Sequence, residues 1–574
     1  MRKRIKRKKR IKRIRRMIGW FLVLLGFLVT SIFVITPYFP NFRNISINEI
    51  IPELKENKVG MVFKNQILSL KESPVIEGEI LLPFSFIQDY IDPYIFWDPK
   101  VQKVTITTEN KVIRMATDEL TYYVNEEPLT LEIPMKIIQG TPYLPVSFLE
   151  RFFPIETNYH EKTNIITVDY YIEEKTIGIV AKEKSQLRLH PTIKSPTITT
   201  LKEGQEVRIY ESIEDWYQIR TKEGIVGYLQ QKHIGGLQEI VPEPLPNAPV
   251  VPNKWKPTEG KINAVWHQVF STSNQQVAKE GITNVQGLDV VLPTWFSIAN
   301  EEGEIANLAD LSYVQWAKDQ GYQVWPLINN QFDPQLTHAV LSNTDKREYL
   351  IKQLLAYISL YQLDGINIDF ESIAKEDGIY FLQFIRELAP FMKEQGSILS
   401  VAMYVPSPWT EHYHRKEVGE VVDYIMIMAY DEHWGGSSTS GSVASLGFVE
   451  KGIVDTLEVV PKEKILLGIP YYTRLWAEEV KDGTVEVKSK AYGMQKAYNI
   501  LNENNAEIIW DEEIGQYYGE YKKDGILYRC WLEDDRSIEK KIQLVEKYNL
   551  AGVSGWKKGL EKPQIWNLLQ NNLK

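Results

Sequence analysis

The chain has 574 residues, of which 44% are apolar and 25% charged, a composition typical of a globular protein with several domains rather than of a disordered chain. Its formal net charge of −9 is unevenly distributed, because residues 1–16 hold twelve Lys or Arg and no acid, which leaves −21 on the remainder. From its acidic composition, the body is expected to offer no basic face for nucleic acid, and the single cysteine, Cys530, excludes an internal disulfide or a paired-cysteine metal site.

The N-terminal segment joins a basic head, residues 1–16, to an apolar segment, residues 17–36. Nineteen uncharged residues, Met17 to Ile35, would span about 28 Å as a helix, close to the ~30 Å hydrocarbon core of a bilayer. The positive-inside rule keeps the basic head in the cytoplasm, so we predict a single-pass membrane anchor with the rest of the chain outside the cell. The alternatives are a cleaved signal peptide or a nucleic-acid-binding arm. An exported chain without disulfides is more typical of a Gram-positive bacterium.

Residues 58–171 contain an internal duplication. The sequence of Leu82–Phe86 (LPFSF) returns as Leu144–Phe148 (LPVSF), and the β-type stretch Val101–Thr107 returns at the same offset of 62. A constant offset predicts two copies of one small α+β unit. The segment resembles the N-terminal-type domain of copper amine oxidases. Because it holds one histidine, His160, and no cysteine, we expect neither a copper site nor another cofactor.

Residues 174–236 are a run of short strands separated by turn signals. Val207–Tyr210 and Trp216–Arg220 alternate apolar and polar residues, as half-buried strands do. The segment resembles a bacterial SH3-like barrel, which implies either a module that binds a peptidoglycan peptide or a spacer that binds nothing. Residues 239–258 hold six prolines and indicate a semi-rigid linker before the next domain.

Residues 261–574 have the length of one (β/α)₈ barrel with insertions. Eight short apolar segments alternate with helical patterns, which favours a parallel sheet with right-handed crossovers. The predicted strands are Ile262–Val269, Leu288–Trp295, Gln323–Ile328, Gly365–Phe370, Leu399–Tyr404, Tyr424–Ala429, Ile465–Pro470 and Gly552–Ser554. The pattern alone does not decide whether this α/β sheet closes into a barrel.

The fourth predicted strand carries an unusual row of polar side chains. In Asp364–Glu371 (DGINIDFE), strand alternation places Asn367, Asp369 and Glu371 on one face and the apolar residues on the other. Carboxylates about 6–7 Å apart on an inward face raise at least one pKa, so Glu371 is predicted to stay protonated and able to donate a proton. An acidic strand end and a magnesium site are the alternatives.

Four elements resemble glycoside hydrolase family 18. DGINIDFE matches the family signature DGxxxDxE, and Met428–Asp431 (MAYD) matches its MxYD element at the sixth strand. Gly468–Tyr472 follows the seventh strand as in the family, and Trp556 matches the tryptophan beneath the sugar. The resemblance implies a retaining glycosidase in which the substrate's acetamide attacks the anomeric carbon, so that no enzyme nucleophile, metal or cofactor is needed.

The resemblance also assigns roles. Glu371 would be the general acid and then the base, Asp369 would orient the N-acetyl group, and Tyr430 would donate a hydrogen bond to its carbonyl. The expected substrate-binding residues are Asn367, Met428, Asp431, Tyr472 and Trp556. Many chitinases have an aspartate where this chain has Asn367. The asparagine shortens the protonation relay, and it is common among spore- and wall-directed members.

The predicted substrate is therefore an N-acetylglucosamine-containing glycan cut at β-1,4 bonds, with peptidoglycan favoured over chitin. A chitinase, or a glycan-binding protein without activity, is the alternative. Other tryptophans near strand ends could contact sugar or serve as packing, namely Trp266, Trp295, Trp325, Trp409, Trp434 and Trp476. His412 and His414 lack further ligands, so we expect no metal site there.

Overall fold

The computed structural model describes residues 13–14, 16–26, 39–242, 260–271, 283, 285–481 and 483–573. Contacts divide the chain into two compact units. The first comprises the described residues of Met1–Pro93, Thr117–Leu120 and Leu131–Ala248, and the second those of Tyr94–Ala116, Thr121–Thr130 and Pro249–Lys574. The duplicated segment therefore contributes residues to both units, whereas the predicted barrel lies in the second.

Two predicted segments fall partly outside the described residues. Residues 17–26 of the predicted anchor are helical, while residues 27–36 are not described. Within the described stretches, no helix has both the length and the apolar character needed to cross a bilayer. Residues 243–258 of the predicted linker are likewise not described. The anchor and the linker stay predictions.

In the first unit, the two sequence repeats form the same local structure. In each copy a strand, Glu79–Pro83 or Thr141–Pro145, leads into a helix, Phe84–Tyr90 or Val146–Leu149. A proline with extended backbone precedes each helix, at a position where its fixed φ is compatible. The two strands pair antiparallel with equivalent leucines opposite each other. The two sequence repeats thus share one strand–helix unit.

Two four-stranded sheets carry the repeats, behind a short helix, Ile47–Ile50, and a 3-10 helix, Pro52–Glu56. The strands of the first sheet, in spatial order, are Ile155–His160, Ile165–Tyr170, Gly60–Phe63 and Gln66–Leu68. Those of the second are Lys136–Ile138, Thr141–Pro145, Glu79–Pro83 and Val75–Glu77. Their core includes Val226, a residue of the next domain. The repeats and that domain therefore share buried apolar surface.

The SH3-like region is a seven-stranded antiparallel sheet. Both strands predicted from alternation are confirmed, and they extend from Glu206 to Ile213 and from Trp216 to Thr221. The small core is formed by Val180, Leu187, Leu201, Val207, Ile219 and Leu229. In spatial order the strands are Thr197–Leu201, Ser185–Arg188, Val226–Gln230, Trp216–Thr221, Glu206–Ile213, Lys175–Val180 and Ile234–Ile240.

The second unit contains a closed barrel of eight parallel strands. They are β1 (Ile262–His267), β2 (Val290–Pro293, continued by Phe296–Ile298), β3 (Gln323–Val324 and Leu327–Asn329), β4 (Gly365–Asp369), β5 (Ile398–Tyr404), β6 (Tyr424–Met428), β7 (Ile465–Pro470) and β8 (Gly552–Trp556). Strand β8 pairs with both β7 and β1, and the two segments of β2 pair with the two segments of β3. All eight predicted strands are confirmed, and the ring is complete.

Helices flank the barrel. They are α1 (Leu311–Asp319), α2 (Pro334–Leu341), α3 (Thr344–Tyr361), α4 (Gly378–Glu394), α5 (Arg415–Val421), α6 (Leu446–Leu457), α7 (Met494–Glu503), α8 (Asp535–Lys547) and α9 (Gln564–Leu573). Several start at an N-cap side chain that accepts a backbone N–H and so satisfies a donor that the helix leaves free. These N-caps are Asp310, Asp333, Asn343, Ser445 and Asp534.

Between β7 and β8 the chain forms an inserted antiparallel sheet with α7 packed on it. The sequence predicts room for insertions but not this sheet. Its strands, in spatial order, are Thr484–Gly493, Tyr472–Lys481, Ile526–Leu532, Gln516–Lys523 and Glu507–Asp511. The buried Cys530 lies in the core of this insertion with Ala497, Leu501 and Leu532. The cysteine is therefore a packing residue.

A second antiparallel sheet packs on the outside of the barrel. Its strands are Phe96–Asp98, Lys103–Thr107, Val112–Ala116, Thr121–Val124 and Glu127–Thr130. Arg114 of this sheet donates to Glu387 of α4 at 3.1 Å, and Arg347 of α3 donates to the same carboxylate at 2.9 Å. Burial would raise the pKa of Glu387, but the two arginines hold it below its ordinary value. The ion pairs attach this part of the duplicated segment to the barrel, which the repeat pattern did not predict.

Candidate active site

Strand β4 places its side chains as the alternation predicts. Asn367 is fully buried inside the barrel, where it accepts a hydrogen bond from the indole N–H of Trp266 at 3.1 Å and donates to Ser400 at 3.0 Å. On the other face, Phe370 stacks on Phe384 of α4 with 5.6 Å between the ring centroids. Asparagine suits the inner position because its amide donates and accepts without carrying a charge.

Asp369 and Glu371 stand at the carboxyl end of β4. Asp369 is 6% exposed, and Glu371 follows the last strand residue at the barrel mouth. Burial raises the pKa of Asp369 well above its ordinary value, and the charge of Glu371 adds to this effect. Burial also raises the pKa of Glu371, and the charge of Asp431 adds to it. The two carboxyl groups therefore hold a proton more tightly than exposed acids do.

Tyr404, the last residue of β5, is a site residue that the sequence interpretation missed. Its hydroxyl donates to Oε2 of Glu371 at 2.5 Å, which lowers the pKa of Glu371 and offsets part of the effect of burial. Its own pKa is raised by burial and by the neighbouring carboxylate. Strand alternation could have found it, because Tyr404 shares its face with the inward Ser400 on a predicted strand.

Asn330 is the second residue that the sequence interpretation missed. It is fully buried just after β3, and its Oδ1 accepts the N–H of Glu371 at 3.0 Å while its Nδ2 donates to the carbonyl oxygen of Glu371 at 2.7 Å. Oδ1 also accepts the N–H of Phe332 at 3.2 Å, and Nδ2 also donates to Thr337 at 2.7 Å. All four hydrogen bonds available to one amide are made. The backbone of Glu371 is thus held from the neighbouring strand.

The segment after β6 supplies a third carboxyl group, that of Asp431. Tyr472 donates its hydroxyl to Oδ1 of Asp431 at 2.5 Å, although the two residues are far apart in the sequence. Burial raises the pKa of Asp431, while Tyr472 and Arg474 act in the opposite direction. Tyr430 lies with its ring centroid 6.4 Å from that of Tyr472. Met428, which ends β6, is 7% exposed.

A cleft of about 680 Å³ opens beside these residues. Of the predicted site residues, Glu371, Met428, Tyr430 and Asp431 line it. Its outer wall includes Trp409 and Trp434, which are 64% and 59% exposed, respectively. Aromatic rings that remain exposed at the rim of a cleft can stack on the apolar face of a sugar.

Trp556 and the other tryptophans differ in exposure. Trp556 ends β8, is half-buried, and lies 5.8 Å from Trp266 between ring centroids, and its peptide bond to Lys557 is cis. It is not among the residues that line the cleft. Four tryptophans considered as sugar contacts are at most 1% exposed and are packing residues, namely Trp266, Trp295, Trp325 and Trp476. Among the described residues, no group of three or more His, Cys, Asp or Glu is arranged to hold a metal ion.

Chemically, the arrangement is a carboxyl group with a raised pKa at the edge of a cleft with exposed rings. Glu371 is positioned by its backbone through Asn330 and by its carboxyl group through Tyr404. A carboxylic acid with a raised pKa can donate a proton to a leaving oxygen near neutral pH. Asp369 and Asp431 add two further carboxyl groups beside Glu371, and burial raises the pKa of both.

Comparison with known proteins identifies the second unit's relatives. The sequence model of glycosyl hydrolases family 18 matches residues 266–560, slightly more than half of the chain. The copper amine oxidase N-terminal domain matches residues 62–168, and the bacterial SH3 domain matches residues 185–235. These matches agree with the three resemblances drawn from the sequence.

Two curated relatives come from Bacillus subtilis (strain 168). The candidate sporulation-specific glycosylase YdhD is 31% identical over 235 residues, which are 40% of this chain and 55% of YdhD. The cortical fragment-lytic enzyme is 28% identical over 252 residues, which are 43% of this chain and 58% of that enzyme. The chain thus spans little more than half the length of these relatives.

Among solved structures, the C-terminal domain of a candidate chitinase from Desulfitobacterium hafniense DCB-2 superposes with a TM-score of 0.51. It is 22% identical and covers 55% of this chain and 100% of that domain. A likeness at this identity concerns the fold alone, and it agrees with the closed barrel.

Proposed function

The chain belongs to glycosyl hydrolases family 18, whose model matches slightly more than half of it, and on this premise we propose that it hydrolyses β-1,4 bonds of a glycan containing N-acetylglucosamine. Glu371 acts as the general acid and then as the base. The observation that carries this proposal is the half-buried Glu371 at the barrel mouth, whose pKa is raised and which is hydrogen-bonded to Tyr404 and lines an open cleft. Active sites of such barrels lie at this end of the strands.

In the proposed mechanism the substrate supplies the nucleophile. Glu371 gives its proton to the glycosidic oxygen while the acetamide oxygen of the sugar attacks the anomeric carbon, which expels the leaving sugar and leaves a cyclic oxazolinium ion. Asp369 orients the acetamide and stabilises its positive charge, and Tyr430 donates a hydrogen bond to the acetamide oxygen. Water, deprotonated by Glu371, then opens the ring with net retention of configuration.

The remaining predicted residues bind substrate in this proposal. Asp431 and Tyr472, joined by a 2.5 Å hydrogen bond, contact the same sugar, and Trp556 stacks beneath it. Asn367 holds the inner end of the strand through neutral hydrogen bonds, so position 367 offers Asp369 no carboxylate with which to share a proton. Met428 contributes to the apolar wall of the cleft.

Peptidoglycan is the proposed substrate. One relative is described as a cortical fragment-lytic enzyme and another as a candidate sporulation-specific glycosylase, and both descriptions suit a wall-directed role. The exposed Trp409 and Trp434 offer stacking surfaces for an extended glycan rather than a single sugar.

The decisive experiment is mass spectrometry of products released from purified peptidoglycan. The wild-type chain is expected to yield fragments that end in reducing N-acetylglucosamine, whereas Glu371→Gln should yield none above background, because glutamine cannot donate the proton. Glu376→Gln, which changes an exposed carboxylate in the 3-10 helix Lys375–Asp377 after β4, is the matched control and should retain full activity. A fully active Glu371→Gln variant would contradict the proposed role of Glu371 as the general acid.

A chitinase is the second candidate, since the chemistry at Glu371 would be the same. Comparing initial rates on chitin oligomers and on peptidoglycan at equal glycan concentration separates the two. A glycan-binding protein without activity is the third, and binding by the wild type without any product would favour it.

We also propose that residues 17–36 anchor the chain in the cell membrane with the enzyme outside. The proposal follows from the uncharged segment that succeeds the basic head. Deleting residues 1–36 should move the protein from the membrane fraction to the soluble fraction. Recovery of the full-length chain in the soluble fraction would contradict the proposal.

A further inference from the structure

The SH3-like region of the first unit carries a cavity of about 320 Å³ whose charged lining residues are all basic. Three lysines, Lys182, Lys184 and Lys232, surround it, together with Arg188 and His233. The chain outside its basic head carries a formal net charge of −21, so an all-basic cavity is unusual on this molecule. We call it the basic cavity.

The basic side chains of the cavity lack carboxylate partners among the described residues. The nearest acid in the sequence, Glu183, accepts the N–H of Glu203 instead. Burial lowers the pKa of His233, and the positive charges of Lys182 and Lys232 lower it further. The cations of the cavity therefore repel one another. Its Nδ1 is buried without a hydrogen-bond partner in the described structure.

Arg188 is the most informative residue of the basic cavity, because it is only 3% exposed. Its guanidinium donates to the carbonyl oxygens of Asn41 and Ser195 and to the side chain of Gln186, which are all neutral groups. Buried charges in proteins are normally neutralised by a counter-ion. Burial lowers the pKa of Arg188, as expected for a cation without one.

Other arginines of the same region show the usual arrangement. Arg208 pairs with Asp169 at 2.8 Å, and Arg220 donates to the other oxygen of that carboxylate. Tyr210 also donates to Asp169 at 3.2 Å. The region therefore neutralises arginines where it can, and Arg188 differs because it borders a cavity rather than a carboxylate.

We propose that the basic cavity binds the phosphate groups of a polyanionic chain of phosphodiesters. The sequence allows a peptide-binding module or a spacer, and the structure gives reasons to prefer a phosphate ligand. Four permanent cations around one cavity exceed what a single peptide carboxylate neutralises. Lysines bind phosphate as point charges, and the lysines are the free cations among the described lining residues because the terminal nitrogens of Arg188 already donate to other groups.

Such binding would hold the protein on an anionic polymer. If that polymer is attached to the glycan that the barrel cleaves, tethering raises the effective concentration of substrate without any new contact at the active site. This consequence rests on the proposed function. The binding itself does not, so it can be tested separately from hydrolysis.

The test is isothermal titration calorimetry of the full chain in neutral detergent with a synthetic six-unit oligo(glycerol phosphate). Hexa-L-glutamate, which carries a similar number of carboxylates, is the competing probe. We expect the phosphate oligomer to bind at least tenfold more tightly at 50 mM salt, and less tightly at 500 mM salt because exposed charges are screened.

The lysines are substituted rather than Arg188, because Arg188 holds the SH3-like region together through its hydrogen bonds to backbone carbonyls. The triple variant Lys182→Gln, Lys184→Gln, Lys232→Gln should lose about 10- to 100-fold in affinity, the effect of three contacts worth roughly 0.5–1 kcal/mol each. The control is a second triple variant at lysines of the first unit that lie outside the basic cavity, namely Lys162→Gln, Lys202→Gln and Lys222→Gln. Its affinity for the phosphate oligomer should change less than twofold. Equal or tighter binding of hexaglutamate, no phosphate binding at millimolar concentration, or unchanged affinity of the triple variant would each overturn the proposal.

Discussion

Asn330→Ala tests whether the backbone of Glu371 must be held for the reaction to occur. The substitution removes the four hydrogen bonds of a fully buried amide, two of them to Glu371 at 3.0 and 2.7 Å. Each buried partner left unsatisfied costs about 1–3 kcal/mol unless water replaces the amide. We expect a loss of about 3 kcal/mol in the free energy of unfolding, since a water molecule can occupy part of the space.

The effect on catalysis should be larger than the loss of stability alone explains. Glu371 lies beyond the end of β4, so no ladder partner replaces Asn330. A displacement of the acid by about 1 Å lowers the rate about 100-fold. Gln331 and Phe332, which follow Asn330, both have positive φ, a strained conformation that the amide helps to hold through the N–H of Phe332. We therefore expect kcat to fall about 100-fold with little change in KM.

The assay is release of reducing ends from purified peptidoglycan at saturating substrate, with stability measured by urea denaturation. Asn263→Ala is the matched control, because Asn263 is also a fully buried asparagine but lies near the opposite end of β1, where it donates to the carbonyl of Gly287 at 2.9 Å. It should lose stability and keep kcat. If Asn330→Ala is destabilised and retains the wild-type kcat, Asn330 is only a structural residue and the reasoning fails.

Three further predictions concern charge. Tyr404→Phe removes the hydrogen bond that lowers the pKa of Glu371, so the acid stays protonated to higher pH and the alkaline limb of the kcat profile should move upward. Asp431→Asn removes a charge that raises the same pKa, so the alkaline limb should move downward, and shifts of the same sign in both variants would refute the assignment. Arg114→Leu leaves the buried Glu387 with one arginine and should cost about 3 kcal/mol in urea denaturation. The loss should be present at neutral pH and disappear as the pH falls through the lowered pKa of Glu387, and a pH-independent loss would show that packing, not charge, is responsible.

Much of the barrel could be predicted from the sequence because its signals are local. Each strand is a short apolar segment, and alternation within β4 alone places Asn367 inside and Phe370 against α4. Tyr404 was within reach of the same rule. Which side chains of one strand face the barrel interior thus depends on neighbouring residues, which a sequence records directly.

The remaining features depend on contacts between distant residues. In the sequence, Asn330 cannot be told apart from any other polar residue after a strand. Only the structure shows that its amide hydrogen-bonds to the backbone of Glu371. The pairing of Arg114 with Glu387 joins segments 273 residues apart, and periodicity contains no information about such pairs. Closure of the barrel likewise requires β8 to meet β1.

The sheet on the outside of the barrel is connected to the active site through packed side chains. Arg114 fixes Glu387 on α4, and on the same helix Phe384 stacks with nearly parallel rings against Phe370. Phe370 directly precedes Glu371, so the helix that receives the sheet's ion pair also supports the residue next to the acid. Close-packed interiors transmit small shifts, because each side chain has few alternative positions. The outer sheet therefore packs on the helix that also contacts the strand of the proposed acid, and the compact unit that contains the barrel includes residues 94–116 and 121–130.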